Sequence, residues 1–165
     1  MPWDSNALDP AQLAQIDALQ LRYIDALDER DMAGWADCFA SECSYICTTR
    51  DNEARGLALA IMMDDSRARV LDRITYVTKI WAGTFEDYTT RHFVQRVRCS
   101  QGRSGAFAVR SNLMVAYTTA RGRSEILVAG AYVDEIVAEA GVAKFRSKKA
   151  VLDTQTTPRY LVYPV

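Results

Sequence analysis

Histidine is the scarcest chemical group in this sequence, with His92 standing alone among 165 residues. A non-haem oxygenase iron needs two histidines and a carboxylate on one metal. A Rieske cluster needs two cysteines and two histidines. One histidine meets neither requirement, so no such centre and no cofactor is expected in this chain. The cysteines are Cys38, Cys43, Cys47 and Cys99. The first three are spaced loosely enough like ligands to raise zinc. A structural site usually pairs two such clusters, however, and only Cys99 and His92 remain to supply the rest. Cys38 beside Phe39 and Cys47 beside Ile46 keep the apolar company of buried thiols. Free thiols in a reducing cytoplasm are the expectation.

Acid–base chemistry needs no metal, because a carboxylate with a tyrosine or histidine inside a pocket can move protons. The candidates are Tyr23, Tyr45, Asp31 and His92. Each also has a plain place in a fold: Tyr23 on a core stripe, Tyr45 in a strand, Asp31 as a helix cap and His92 at a strand start. No GxGxxG fingerprint, phosphate loop or GxSxG elbow occurs, so dinucleotide, phosphate-loop and serine-hydrolase chemistry are not indicated. Charges set among apolar residues say more. Arg73 in Leu71-Asp72-Arg73-Ile74 and Arg91 in Thr90-Arg91-His92-Phe93 fall near the ends of elements, and Asp134 and Asp153 in or near long strands. Such arginines make bidentate carboxylate pairs inside a fold or across an interface. Solvated strand-edge charges are the alternative.

The elements that would position these residues can be read from periodicity. Asp9 is a good N-cap and Pro10 suits the first helical position. Leu13, Ile16, Leu19, Tyr23, Ile24 and Leu27 then recur at helical spacing, which predicts an amphipathic helix over 10–29. Asp31 caps a second, short helix carrying Met32, Trp35, Ala36 and Phe39. The stretch 40–43 closes it, 44–49 is a strand and 50–55 a loop. The apolar run 57–63 is ambiguous between strand and helix. Asp64-Asp65-Ser66 caps a helix over about 65–76, with Ala68, Val70, Leu71, Ile74 and Val77 available for its buried side. Residues 91–99, 106–119, 124–138 and 143–153 are β-rich segments separated by short turns, which gives an antiparallel meander. Phe107, Val109, Ser111, Leu113 and Val115 point one way. Their neighbours point the other, towards a face covered in part by another subunit.

Length and composition fit one ordinary domain over residues 1–165, soluble and globular, with 49% hydrophobic and 25% charged residues. The formal net charge of -1 offers no field for nucleic acid or an anionic membrane, despite a local basic cluster at Arg146, Lys148 and Lys149. Met1-Pro2-Trp3-Asp4 lacks a secretory pattern and no apolar run is long enough to span a bilayer, so the cytoplasm is the expected compartment. Helices first and a long sheet afterwards predict an α+β fold, with N-terminal helices packed on a long curved antiparallel sheet that closes into a cone.

The order of segments resembles the beta, or small, subunit of aromatic-ring-hydroxylating dioxygenases, whose fold is similar to nuclear transport factor 2 and the steroid isomerases. The resemblance runs from about residue 12 to the end. Tyr23-Ile24-Asp25 through Trp35-Ala36-Asp37-Cys38-Phe39 resembles the family's opening helix pair, followed by Cys43-Ser44-Tyr45. Leu71-Asp72-Arg73-Ile74 resembles its arginine-bearing helix and Arg91-His92-Phe93-Val94 its RH strand. Gly130-Ala131-Tyr132-Val133-Asp134 resembles its GxYxD strand, Lys149 to Thr154 the last long strand, and Tyr160 to Val165 its tail. In place of the family's tryptophan-proline segment stands Trp81-Ala82-Gly83-Thr84-Phe85. Asp51-Asn52 through Gly56-Leu57-Ala58, with the tail, looks closest to small subunits acting on aromatic carboxylates such as terephthalate or salicylate.

The resemblance implies a catalytic alpha subunit carrying the Rieske [2Fe-2S] cluster, the mononuclear Fe(II) and the substrate pocket, with electrons from NADH through a reductase. It implies a trimer of this chain beneath an alpha trimer, alpha3beta3, and no catalytic residue here. Arg73, Arg91, His92, Asp134 and Tyr163 are then expected as interface or structural residues. From a different class, a stand-alone isomerase or dehydratase using acid–base chemistry in the cone is the alternative, and a bare binding module of the same fold is a third reading.

Overall fold

A computed structural model describes residues 8–102 and 105–165. Met1–Asp4, read for a leader, lies outside them. Helix α1 spans Pro10–Asp28, and the Asp9 carboxylate accepts from the Ala11 amide at its start. It buries Ile16, Leu19, Gln20, Tyr23, Ala26 and Leu27. Helix α2, Met32–Asp37, is capped by Asp31, whose carboxylate accepts from the Gly34 amide at 2.9 Å. The chain then runs straight into strand β1, Phe39–Thr49, several residues earlier than periodicity predicts. There Phe39 pairs with Phe145, and a bulge before Ser44 breaks the local alternation.

The stretch 50–55, expected as a loop, contains the short helix α3, Arg50–Ala54. Thr49 caps it, accepting from the Asn52 amide, and Asp51 and Glu53 sit in the first turn, where the helix dipole favours acids. Of the apolar run that follows, only its last residues join strand β2, Met62–Asp64, while Leu57, Leu59, Ile61 and Met63 stay exposed. Helix α4, Arg67–Thr75, starts at Ser66 and passes into a π turn at Tyr76–Ile80. Of its expected buried side only Val70 and Val77 are buried. Ile74 is half-buried, and Ala68 and Leu71 face outward.

Strands β3 (Tyr88–Gln101), β4 (Phe107–Thr119), β5 (Ser124–Glu139) and β6 (Val142–Leu152) form the expected antiparallel meander. The whole sheet has the order β2-β1-β6-β5-β4-β3 and is mixed, because β1 lies parallel to β6. A parallel neighbour needs a long crossover, and here nearly the whole chain serves as one. Bulges in each ladder of the meander, between Arg96 and Arg98, Val115 and Ala116, and Glu135 and Ile136, bend the sheet around the helices. The architecture is an α+β cone.

Val109, Ser111, Leu113 and Val115 are buried and Phe107 is half-buried on the inner face, as the alternation predicts. Tyr23, Phe39, Tyr45, Trp35, Tyr132 and Phe145 meet there as edge-on and tilted pairs with centroids 5.1–6.4 Å apart. Such pairs add to the burial of the rings themselves. Gly130, opposite Leu152 on β6, leaves room for that strand to pass: a Cβ would collide with the Val151 carbonyl oxygen and fall 2.9 Å from the Leu152 Cα. Backbone cannot retreat as a side chain would. Gly130→Ala is therefore expected to lower stability by roughly 1–3 kcal/mol, read as a shifted urea midpoint with an unchanged slope.

Candidate functional site

The chemical groups of greatest interest converge inside the cone. Helix α1 supplies Gln20 and Tyr23, β5 supplies Tyr132 and Asp134, and β6 supplies Phe145 and Lys148. Asp134 and Lys148 are register partners, and the irregularity beside them skips Arg146. That extra residue brings both Phe145 and Lys148 to the inner face, three positions apart. The Lys148 side chain is 0% exposed. Its Nζ donates to Asp134 Oδ2 at 3.0 Å and to Gln20 Oε1 at 3.1 Å. The Gln20 amide completes the triangle by donating to Asp134 Oδ2 at 2.5 Å. Three rings enclose the ammonium: Nζ lies 3.6 Å from the Tyr132 centroid, 4.2 Å from Phe145 and 4.4 Å from Tyr23. A desolvated cation over aromatic faces is well placed for cation–π attraction.

Burial still dominates. It pushes the Lys148 amine down to about 8, against the pull of Asp134, and pushes the Asp134 carboxyl up, against Lys148 and Gln20. Asp134 Oδ1, the Tyr132 hydroxyl and the Ser111 hydroxyl are buried without a hydrogen-bond partner. Desolvation of two charges and of these unpartnered groups works against the attraction within the pair.

The other named residues lie elsewhere. Arg73 makes a bidentate pair with Asp64, at 2.9 and 2.8 Å, which ties α4 to β2. His92 is buried at the α1 edge, with Nδ1 2.6 Å from Asp28 Oδ1, while its amide and the Thr90 hydroxyl also donate to that carboxylate. Burial pushes Asp28 up, but these bonds and the His92 ring outweigh it and leave the carboxyl below its usual range. Arg91 points outward, 3.6 Å from Glu29, an exposed pair of little energetic weight. Tyr163 lies under the Arg30 guanidinium and packs edge-on against Phe85 and Tyr88. Asp153 makes an exposed pair with Arg50.

The acid–base candidates do not form one site. Tyr23 and Tyr45 do meet, since both hydroxyls donate to the Val165 oxygen, at 3.1 and 3.0 Å. Burial raises both phenols well above their usual range, which removes them as proton carriers near neutrality. Asp31 serves as a cap and His92 as a tether between α1 and β3. Cys38, Cys43 and Cys47 are buried free thiols and Cys99 a half-buried one, each pushed up by burial. Lys148 was hidden in the basic cluster of the sequence. Arg146 and Lys149 do face out, to Glu135 and Glu53, and only Lys148 turns in.

Fold and interior together define a class: an α+β cone closed by its own side chains. The chain belongs to the family of ring hydroxylating beta subunits, whose model matches residues 22–159. It is a beta subunit of an aromatic-ring-hydroxylating dioxygenase, one part of a larger complex. It is 28% identical to the anthranilate 1,2-dioxygenase small subunit of Burkholderia cepacia, over 92% of each chain. It is 27% identical to the terephthalate 1,2-dioxygenase terminal oxygenase component subunit beta 1 of Comamonas sp, over 92% of this chain and 97% of the relative. A solved chain from Novosphingobium aromaticivorans, assigned as the beta subunit of an aromatic-ring-hydroxylating dioxygenase, superposes with a TM-score of 0.79 at 27% identity. That match covers 90% of this chain and 94% of the other.

The residues of this chain do not fit the metal groups of such complexes. A Rieske or mononuclear iron needs at least two histidines, and the only one, His92, has Nδ1 committed to Asp28. Among the described residues, no three His, Cys, Asp or Glu are grouped to hold a metal ion.

Removing one partner of the buried pair strands the other charge. Lys148→Met is expected to cost about 3–5 kcal/mol, whereas Lys148→Met with Asp134→Leu is expected to fall near wild type or above it. The pH response has a definite sign. The folded amine sits at about 8 against an ordinary 10.5, so between those values the unfolded chain holds a proton that the folded chain has released. Wild type should gain stability relative to the double variant as pH rises through that window and show no such trend from pH 6 to 7.5. Denaturant titrations at stepped pH measure it.

Proposed function

We propose that this chain is the non-catalytic supporting subunit of a Rieske non-haem iron oxygenase that hydroxylates an aromatic acid. The observation that carries the reading is the filled interior: Tyr23, Trp35, Tyr45, Tyr132, Phe145 and Lys148 are all fully buried where a cone enzyme needs room for substrate. An aromatic carboxylate as the substrate of the complex is supported by the names of the anthranilate and terephthalate relatives. In this reading the catalytic alpha subunit carries the Rieske [2Fe-2S] cluster, the mononuclear Fe(II) and the pocket, and NADH supplies electrons through a reductase. Three copies of the chain, each one domain over residues 1–165, form the base of an alpha3beta3 assembly in the cytoplasm.

Support for an assembled state comes from the surface. Leu59, Ile61, Phe93, Ile126 and Tyr160 are all more than two-fifths exposed, a load of apolar surface that a partner would cover. Arg73, His92, Asp134 and Tyr163 hold elements together, and Arg91 is the outward-facing member of the set. Against the isomerase or dehydratase alternative, Tyr23 and Tyr45 are fully buried, Asp31 caps a helix and His92 is tied to Asp28.

Co-expression with a candidate catalytic large subunit tests this reading. The chain should purify in a stable assembly with all iron on the larger protein, and turnover by the chain alone would overturn it. His92→Ala breaks the buried tether to Asp28 and is expected to cost roughly 1–3 kcal/mol of stability or the equivalent in assembly. Turnover per assembled iron site should stay near wild type. Loss of turnover with assembly and iron intact would defeat the supporting role of His92.

A further inference from the structure

The buried ammonium has the surroundings of a bound ligand. Three aromatic faces lie within 3.6–4.4 Å of Nζ, a carboxylate oxygen is at 3.0 Å and an amide oxygen at 3.1 Å. Rings on several sides and a carboxylate on another make the arrangement by which proteins recognise free organic cations. Gln20 also lines a groove of about 310 Å³ between α1 and β3, with Asp17, Leu21, Ile24, Val94 and Arg96. The ammonium therefore sits one side chain away from a surface opening, behind an amide that bonds both members of the pair.

We propose that the inside of this cone is a complete binding site for a primary alkylammonium, occupied in cis by the chain's own Lys148. The site belongs to Asp134, Gln20, Tyr23, Tyr132 and Phe145, and the lysine is its ligand, delivered by β6. A primary amine fits better than a quaternary one, because two acceptors, Asp134 Oδ2 and Gln20 Oε1, require N–H donors. A carboxylate in the cage excludes anions. A neutral alcohol of the same length fills the space but leaves Asp134 uncompensated. This accounts for how a cone can lack a free ligand pocket while keeping the polar groups of one: the pocket is present and filled.

Shortening the lysine separates ligand from site. In the full-length chain, Lys148→Ala removes the three methylenes and ammonium that n-propylammonium replaces atom for atom. At pH 7, Lys148→Ala should melt roughly 6–20 °C below wild type, as expected for an uncompensated buried charge. With a Kd of roughly a millimolar for so small a ligand, 100 mM n-propylammonium chloride should restore roughly 5–10 °C. Sodium chloride at equal ionic strength and 1-propanol should restore none of it. Lys148→Met, with the space filled, and Lys148→Ala with Asp134→Asn, with the counter-charge gone, should not respond to the amine.

Equal recovery with 1-propanol, an equal response in the Asp134→Asn background, or no recovery would each overturn the proposal. If Lys148→Ala does not fold unaided, refolding from urea gives the same decision. A yield raised severalfold by n-propylammonium but not by 1-propanol supports the site, and an unchanged yield overturns it.

Discussion

Everything inside this molecule is arranged around one ammonium that cannot reach water. An unpaired charge at that depth would cost several kcal/mol, more than a marginally stable domain can absorb. Asp134 and Gln20 must therefore arrive together, and they come from different layers: the carboxylate from β5 and the amide from α1. Gln20 can reach only if α1 lies across the open face of the sheet. The Asp28–His92 and Asp17–Arg96 contacts hold α1 there against β3. One buried charge thus fixes where a helix sits, which register β5 and β6 adopt and which rings fill the centre.

Register is the sharpest of these consequences. Side chains in a strand alternate with a period of two, so a slip by one residue would exchange inside for outside. On β6 such a slip would put Lys149 or Ser147 against Asp134 and expel Lys148 into solvent. A slip would also turn the buried Phe145 outward, so the aromatic core and the paired charge specify the same register. Burial pushes the Lys148 amine down and the Asp134 carboxyl up, each against the pull of the other, so the desolvation of the pair offsets its attraction.

Local signals made much of the fold legible. Asp9-Pro10, Asp31 and Ser66 each mark a helix start through an N-cap that acts within three residues. The four β-rich segments appear as strands because short turns join them. What local pattern could not show was β1 beside β6, since Cys47 opposite Ala150 is a pairing between distant parts of the chain. Helix α3 carries no separate start signal, because Thr49, its cap, also ends a strand. The interior site was half legible. Asp134 stood out as a charge in a long apolar strand, but Lys148 sat among Arg146 and Lys149 and looked solvated. Only the bulge on β6 turns it inward, and a bulge leaves no composition signal. Gln20 lies four residues after Ile16 and three before Tyr23, on the buried stripe, and that spacing was the available clue.

A cone of this kind can serve in two opposite ways, and the interior decides between them. A pocketed cone must keep a cavity, which sacrifices dispersion contacts along every wall and leaves polar groups waiting for a ligand. Here the interior is occupied by Tyr23, Tyr45, Tyr132, Phe145 and a lysine, all without exposure. Such an interior has no room for substrate and little freedom to rearrange. Those are disadvantages in an enzyme and advantages in a base on which another subunit is built, because partner contacts on the outer surface keep fixed positions. In the proposed supporting role, the side chains that fill the interior also fix the outer surface that a partner would meet.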